Sequence, residues 1–322
     1  LEWRRCAADP IHFFREYWMI LHPKGKRLFE LREPQLEVLD IWLAGEDSIT
    51  LKARQIGWST LVAAYSFHKA FFGVDQNILL LSKGERESIK LLAKAKYGYK
   101  HLPKWLKDRG PRLQDDTLLR MSFDNDSVIE SLPSGSDPAR GYTGNLLVAD
   151  EFAFLTNPEE AWASMEPVTD VGGQKIVLST ANGHGNLFHR EWLRATLGES
   201  SMVPSFYSWR AVPERDDAWY EQKARDMEPW ALAQEYPDNP DEAFVKSGNM
   251  VFDYKALEIM RVKEAPMRGR IGADNKFQPS MDGELLVWEL PDPTFVYSMG
   301  ADVAEGLGHG DYSSADVLTA GG

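Results

Sequence analysis

The residues from Lys52 to Thr60, Lys-Ala-Arg-Gln-Ile-Gly-Trp-Ser-Thr, have types and a spacing suited to binding phosphate. A short run with β-branched residues, 48–51, precedes them, and a helical pattern of apolar residues follows from Leu61 to Phe72. In a strand–loop–helix of this kind, backbone N–H groups at the helix N-terminus converge on an anion. The phosphates also need a close-approach glycine, a cation and a Ser or Thr hydroxyl for Mg²⁺. The stretch is therefore a candidate phosphate-binding loop.

Two positions of this loop depart from the pattern G-x-x-x-x-G-K-[ST]. Gly57 and Ser59 occupy the last-glycine and hydroxyl positions, but Trp58 stands where the lysine is expected, and Lys52 replaces the first glycine. An indole carries no charge, so the cation has to come from Lys52 or Arg54, and the sequence leaves both open. Taken alone, the stretch is better explained by an ordinary strand–turn–helix, and the support for a phosphate site lies downstream.

Two adjacent carboxylates, Asp150 and Glu151, directly follow the apolar run 146–149. Open α/β sheets bind ligands at the carboxyl ends of their strands. We expect Asp150 to hold Mg²⁺, which prefers hard oxygen ligands. We expect Glu151 to orient and deprotonate an attacking water. The alternative, a solvated strand end that caps the next helix, is disfavoured by the phosphate loop upstream.

Another buried run, 175–178, ends in small polar residues. Ser179, Thr180 and Asn182 could sense a γ-phosphate from a neighbouring strand. Alone, this pattern is only that of a strand followed by a turn.

Two isolated side chains complete the candidate site. Gln35 lies just inside a helical pattern after a proline, and a glutamine amide, which donates and accepts, can read adenine. Arg140 is the single arginine of a Gly/Pro/Ser-rich loop, 133–144.

Strands and helices alternate around these residues. Asp9, followed by Pro10, predicts a capped helix that extends to His22. Apolar runs predict buried strands, and the loop, strand and helix patterns together predict an α/β fold with a parallel sheet flanked by helices over residues 1–205. The predicted strands, besides those already given, are 77–82, 118–123 and 127–132.

The rest of the chain changes character. Residues 206–290 are acidic and rich in Trp and Pro, and we interpret them as a small lid or linker subdomain. Residues 291–322 contain a strand that delivers Asp302, a glycine-rich turn and a second strand. This is how an RNase H-like nuclease opens, and its two metals need several carboxylates. A small β-hairpin that closes the lid is the alternative. Because the rest of such a nuclease does not fit before Gly322, we expect a truncated piece that cannot cut DNA.

Composition sets broad limits. The 322 residues suggest two domains, and 43% hydrophobic residues suffice for ordinary cores. The single cysteine, Cys6, excludes an internal disulfide and fits a reducing compartment. No apolar run approaches the ~20 residues of a membrane span. We expect no signal peptide in this sequence, because no apolar h-region follows Leu-Glu-Trp-Arg-Arg at its start.

Charge is distributed unevenly. The chain has 36 Lys and Arg against 49 Asp and Glu, a net charge of −13. Residues 83–112, however, contain ten Lys and Arg against three acidic residues. Contact with a phosphate backbone requires such a local concentration. A solvated helix face explains it equally well.

Taken together, these stretches resemble the large terminase subunit of tailed bacteriophages, the motor ATPase that packages DNA into a procapsid. The resemblance covers nearly the whole chain, from the Asp-Pro helix through Arg-Gln-Ile-Gly, Asp150-Glu151 and Ser-Thr-Ala-Asn to Glu-Tyr-Pro, Glu-Ala-Phe and Gly-Ala-Asp-Val-Ala-Glu-Gly. It implies a P-loop NTPase sheet of the RecA/ASCE-like type, then the lid, then the start of the RNase H-like domain.

The resemblance also implies roles for residues. Lys52 matches a variant of the family in which the phosphate lysine lies early in the loop, and Arg54 matches the arginine of Arg-Gln-x-Gly. Glu151 would be the catalytic base, and Arg140 an arginine finger supplied to a neighbouring subunit. Thr180 and Asn182 would couple hydrolysis to movement. The expected nucleotide contacts are Gln35, Gln55, Ile56, Gly57, Trp58, Ser59, Thr60, Thr180 and Asn182. The expected metal ligands are Ser59 and Asp150 for Mg²⁺ at the ATPase site and Asp302 for Mg²⁺ or Mn²⁺ in the nuclease.

The implied partners are ATP, double-stranded DNA, the small terminase subunit and the portal of the procapsid. We expect a homo-oligomeric ring, a pentamer, when docked, a monomer in solution, no membrane, and a location in the host bacterial cytoplasm. The packaging strategy, headful or cohesive-end, stays open.

Three other functions remain to be weighed. A helicase-like DNA-dependent ATPase would share the loop and the acidic pair, but residues 206–322 show no second set of motifs. A non-catalytic assembly scaffold would have no need of Glu151. A nuclease with a vestigial ATPase part would need further acidic strand ends beyond Gly322.

Overall fold

The computed structural model describes residues 1–132, 139–244, 267–272, 276–280, 283, 285–302 and 314–319. The chain divides into two compact units, Leu1–Val251 and Phe252–Gly322. No described helix is long and apolar enough to cross a membrane.

The first unit alternates helices and strands. In chain order they are α1 (Glu2–Ala8), α2 (Pro10–Tyr17), β1 (Met19–His22), β2 (Gly25–Leu28), α3 (Glu33–Leu43), β3 (Ser48–Lys52), α4 (Trp58–Phe72), β4 (Asn77–Ser82), α5 (Glu85–Lys100), α6 (Lys104–Arg109), β5 (Leu113–Asp116), β6 (Arg120–Phe123), β7 (Val128–Ser131), β8 (Leu146–Asp150), α7 (Pro158–Thr169), β9 (Gln174–Ser179), α8 (Leu187–Thr196), β10 (Val203–Tyr207), α9 (Asp217–Asp226), α10 (Pro229–Glu235) and α11 (Pro240–Ala243).

Eight of these strands form one sheet in the order β10-β3-β9-β8-β4-β7-β6-β5. The six strands from β10 to β7 are parallel, and β6 and β5 continue the sheet antiparallel. The predicted α/β fold with a parallel sheet and flanking helices is thus confirmed. Because the strands are parallel, the ends of β3, β4, β8 and β9 meet at one edge of the sheet.

Both faces of the sheet are covered. Every residue of β3, β8 and β9 is buried, as expected for parallel strands between helices. Alternate residues of β4 enter different cores: Ile78 and Leu80 join the cluster under α4 and α5, whereas Leu79 and Leu81 join the cluster under α7 and α8. The period-2 alternation of strand side chains produces this division.

The N-terminal helix is shorter than the sequence predicts. It has the predicted Asp9 cap, whose carboxylate accepts from the His12 N–H, but α2 ends at Tyr17. Trp18 is extended and almost fully buried, and a Cβ on Gly98 of α5 would collide with its ring. Tertiary packing of Trp18 therefore overrides the local helical pattern, and the residues up to His22 pair with β2 instead.

Residues 206–244 lie in the first unit. Strand β10 spans position 205, where the sequence analysis divides the first two domains. Trp209 and Tyr236 contribute to the same apolar cluster as α4. Helices α9, α10 and α11 belong to this segment.

The second unit contains two small sheets. Strands β11 (Met267–Ile271), β12 (Phe277–Pro279) and β13 (Leu285–Val287) form one. Strands β14 (Tyr297–Asp302) and β15 (Ser314–Thr319) form an antiparallel pair. The predicted glycine-rich turn between them lies outside the described residues, and the RNase H-like assignment stays a prediction.

Candidate nucleotide site

The candidate phosphate loop joins β3 to α4 at the carboxyl edge of the sheet. Gln55 and Gly57 both have positive φ, 57° and 93°, and Gly57 is the N-cap of α4. A Cβ on Gly57 would lie 2.8 Å from Nε2 of Gln35, so space as well as backbone conformation favours glycine. The α4 N-terminus thus presents the orphan N–H groups that bind anions.

Gln35 braces this loop. Its Nε2 donates to the Gly57 carbonyl oxygen at 3.3 Å, and its Oε1 accepts from the Arg32 N–H at 3.0 Å. The side chain is almost fully buried. Gln35 is therefore next to the loop, with both ends of its amide in contact with the protein, and its contact with adenine stays a prediction.

Trp58 does not replace the missing lysine. Its indole is buried, and its ring centroid lies 4.7 Å from that of Tyr207. Ile56 is buried as well. These two residues can therefore serve a nucleotide only through their backbone N–H groups.

Lys52 lies where the loop needs a cation. Its Nζ is 3.0 Å from Oε1 of Glu151, and only 5% of its side chain is exposed. Arg54 points elsewhere: its Nη1 is 2.8 Å from Oε2 of Glu235, and its N–H donates to the Glu235 carbonyl oxygen. Lys52 thus forms an ion pair with Glu151, and Arg54 forms one with Glu235.

Asp150 and Ser59 form the second contact across the site. The Ser59 hydroxyl donates to Oδ2 of Asp150 at 2.8 Å. Oδ1 of Asp150 is buried with no hydrogen-bond partner among the described residues. Burial raises the pKa of Asp150 above its usual value. A hydroxyl beside a carboxylate with an orphan oxygen is a donor set that fits Mg²⁺.

Glu151 has an unusual backbone conformation. Its φ of 56° and ψ of 40° are left-handed, a region that few non-glycine residues adopt. Burial opposes ionisation of its carboxyl, but Lys52, Lys83 and the Thr180 N–H outweigh it and lower the pKa of Glu151. The carboxylate is thus ionised at neutral pH, as a general base must be.

The end of β9 supports this turn. Ser179 Oγ accepts from the Ala153 N–H at 3.1 Å, and Asn182 Nδ2 donates to the Ala153 carbonyl oxygen at 2.9 Å. Thr180 Oγ1 is 3.5 Å from Oε2 of Glu151. The predicted γ-phosphate sensors therefore contact Glu151 and the turn that follows it.

No protein-family profile matches the chain, but solved structures do. A variant of the large terminase ATPase domain of Thermus phage P74-26 aligns with a TM-score of 0.54 at 17% identity, over 65% of this chain and 93% of that one. The large terminase of bacteriophage HK97 aligns with a TM-score of 0.57 at 16% identity, over 72% and 54%. The large terminase of a thermophilic bacteriophage aligns with a TM-score of 0.52 at 17% identity, over 85% and 62%.

The chain has the fold of large terminase ATPase domains. The resemblance predicted from the motifs is confirmed at the level of fold. This chain spans about half the length of the HK97 large terminase.

Two cations of this terminase fold were not predicted as site residues. Arg215 donates from Nη1 to the Arg54 carbonyl oxygen at 3.0 Å and from Nη2 to that of Gln55 at 3.2 Å. Its guanidinium lies 4.8 Å from the Trp219 ring. Lys83, directly after β4, lies with Nζ 5.5 Å from the Phe154 ring. The spacing of Arg215 and Trp219 could have suggested their stacking, but no sequence pattern links Arg215 to the loop.

Three predicted residues remain: Thr60, Arg140 and Asp302. Thr60 is in the first turn of α4, where its N–H donates to the Gly57 carbonyl oxygen. Arg140 is exposed, and residues 133–138 of its loop lie outside the described residues. Asp302 ends β14 in the second unit.

A cavity of about 440 Å³ adjoins the loop. Trp230, Tyr236 and Met227 form its apolar wall, while Arg54 and Gln55 form the side toward the loop.

Proposed function

We propose that this chain binds ATP with Mg²⁺ at the carboxyl edge of the sheet and hydrolyses ATP to ADP and phosphate. The observation that carries the proposal is the convergence of two pairs, Lys52 with Glu151 and Ser59 with Asp150. A loop with N–H groups at a helix N-terminus, a buried cation and an ionised carboxylate are the parts that phosphoryl transfer to water requires. The shared fold of the P74-26 ATPase domain supports the same activity.

The residues would divide the work as follows. Lys52 and the N–H groups of the loop bind the β- and γ-phosphates, and Ser59 and Asp150 offer oxygens to the metal. Mg²⁺, when bound, neutralises charge that develops on the phosphate oxygens. Glu151 accepts the proton of the attacking water. As Lys52 moves toward the phosphates, it leaves Oε1 of Glu151 available to that water.

We propose further that hydrolysis drives double-stranded DNA into a procapsid. Thr180 and Asn182 would transmit the loss of the γ-phosphate, because both contact Glu151 or the turn beside it. Arg140 would act on the site of a neighbouring subunit in a pentameric ring docked on the portal, with the small terminase subunit as a further partner. Asp302 would hold a nuclease metal, Mg²⁺ or Mn²⁺. The host bacterial cytoplasm is the expected location.

Steady-state release of phosphate from ATP tests the ATPase activity. Glu151→Gln should lower the rate by about 10²–10⁴, the range of a general base, whereas Glu160→Gln, the same change at an exposed position of α7, should not. Lys52→Ala should weaken binding of ATP more than Arg54→Ala does.

A rate of hydrolysis per chain that rises with protein concentration would support an arginine supplied by a neighbouring subunit. Binding of ATP without hydrolysis would favour the assembly scaffold, and absence of nucleotide binding would refute the phosphate loop.

A further inference from the structure

Helix α5 has one face that is rich in exposed cations. Its buried residues, Ser88, Leu91, Leu92, Ala95 and Gly98, pack toward the sheet. At 100° per residue, Arg86, Lys90 and Lys100 lie on the opposite side with Tyr97 between them, and the exposed Lys94 lies at the edge of that side. We call these five residues the α5 basic face.

Few carboxylates neutralise this face. Glu87 is 3.5 Å from Lys90, and both side chains are partly exposed. Within the described part of the chain, Arg86, Lys94 and Lys100 form no ion pair with a carboxylate. By contrast Lys96, on the flank, pairs with Asp116 at 2.7 Å. Arg86, Lys94 and Lys100 are therefore available to a partner.

We propose that the α5 basic face binds the phosphate backbone of double-stranded DNA. At about 1.5 Å per residue, the stretch from Arg86 to Lys100 is roughly 21 Å long, which corresponds to about six phosphates of one strand at about 3.4 Å each. The chain as a whole has a charge of −13, so this local concentration of cations contrasts with the rest of the sequence. Cations spread along one side of a helix can contact successive phosphates of a regular polyanion.

The face is connected to the candidate nucleotide site. Lys83 and Gly84 join β4 to α5, and Ser82 at the end of β4 is the strand partner of Asp150. Lys83 itself helps to lower the pKa of Glu151. Only two residues, Lys83 and Gly84, thus separate the strand that pairs with Asp150 from the helix proposed to contact DNA. A movement of Asp150 or Glu151 can therefore reach α5 through this short connection.

The attachment of α5 to the sheet is firm. Ser88 Oγ accepts from Ser131 Oγ at 2.6 Å, and its one proton is shared between the Glu85 carbonyl oxygen of α5 at 2.9 Å and the Leu132 carbonyl oxygen at 3.2 Å. Gly98 leaves room for the Trp18 ring, which would collide with any larger residue there. These contacts attach α5 to the end of β7 and to Trp18.

This inference rests on the proposed motor function, so its test is separate from that of hydrolysis. Fluorescence anisotropy of a short labelled duplex of random sequence is measured with the whole chain at several salt concentrations. The triple variant Arg86→Gln, Lys90→Gln, Lys94→Gln is compared with Arg4→Gln, Arg5→Gln, Arg15→Gln, which removes the same charge from exposed positions of α1 and α2.

The salt dependence gives the decisive number. The logarithm of the association constant falls by about 0.9 per neutralised phosphate for each unit of log salt. We therefore expect the slope of the α5 triple variant to be smaller by about 3, with weaker binding at low salt. The control variant should keep the wild-type slope, and both should hydrolyse ATP without DNA as the wild type does.

Two results would overturn the inference. One is a wild-type slope in the α5 triple variant. The other is absence of duplex binding by the wild-type chain at low salt. Either could occur in a chain that still hydrolyses ATP, so failure of this inference is distinguishable from failure of the proposed ATPase.

Discussion

Lys52 and Glu151 lie 99 positions apart in the chain, yet Nζ of Lys52 is 3.0 Å from Oε1 of Glu151. The contact exists because β9 alone separates β3 from β8 in the sheet, and both strands end at the same edge. It joins the proposed phosphate cation to the proposed base. The opposite charges of these two side chains thus neutralise each other.

This pair should contribute to stability in a way that a double-mutant cycle can isolate. Lys52→Met leaves the Glu151 carboxylate largely buried and unpaired, which should lower the free energy of unfolding by about 2–3 kcal/mol after allowance for its partial exposure. Adding Glu151→Gln should restore most of the loss. Urea unfolding of the two single variants and the double variant measures the coupling. If the two losses simply add, the ion pair contributes nothing beyond its separate parts.

The position of Trp58 leads to a second prediction. Trp58→Lys, which restores the usual loop lysine, should not improve hydrolysis of ATP, because residue 58 packs against Tyr207 rather than facing the loop. It should lower the free energy of unfolding by about 3–5 kcal/mol, the cost of losing a large buried side chain.

Trp58→Phe, which keeps an aromatic ring in the core, is the matched control and should be much less destabilising. Thermal unfolding and phosphate release are measured on both variants. A stable Trp58→Lys protein with faster hydrolysis would show that Lys52 is not the phosphate cation.

The sequence predicts those contacts of the site that follow from the order of the strands, but not those that depend on tertiary packing. The meeting of Ser59 with Asp150 and of Lys52 with Glu151 follows from parallel strands that end together, so strand assignment suffices. The choice between Lys52 and Arg54 does not follow, because Arg54 is held by Glu235 on α10, whose placement is a matter of tertiary packing. The same applies to Trp18, whose burial ends α2 at Tyr17 against the local pattern.

Arg215 illustrates what a single sequence cannot supply. Its guanidinium donates to the carbonyl oxygens of Arg54 and Gln55, about 160 positions away in the chain. Every residue has a backbone carbonyl, so the residue types at these positions do not indicate the contact. We predict that Arg215→Ala weakens ATP binding about tenfold, because the loop loses two hydrogen bonds of about 1 kcal/mol each and becomes less ordered.

Arg225→Ala is the control, since Arg225 is an exposed arginine of α9 with a single distant ion pair to Glu221. Titration with a fluorescent ATP analogue gives both dissociation constants. Equal affinities of the two variants would mean that the loop keeps its conformation without Arg215.

His68 predicts the direction in which acid affects stability. Its ring is buried among Phe13, Phe14 and Phe72 and contacts the Cys6 carbonyl oxygen at 2.8 Å through Nε2. Burial lowers the pKa of His68 to about 4. Between pH of about 6.5 and 4 the unfolded chain binds a proton at this residue that the folded chain does not.

The free energy of unfolding should therefore fall as the pH decreases through this range, by about 3 kcal/mol from His68. His68→Gln keeps a donor for the Cys6 carbonyl oxygen but cannot titrate, so its stability should depend less on pH by that amount. Urea unfolding between pH 7 and about pH 4 measures the difference, with His22→Gln, a partly exposed histidine of the β1–β2 hairpin, as the control. An unchanged pH dependence in His68→Gln would mean that the folded core accepts the imidazolium, which requires water or a carboxylate to reach the ring.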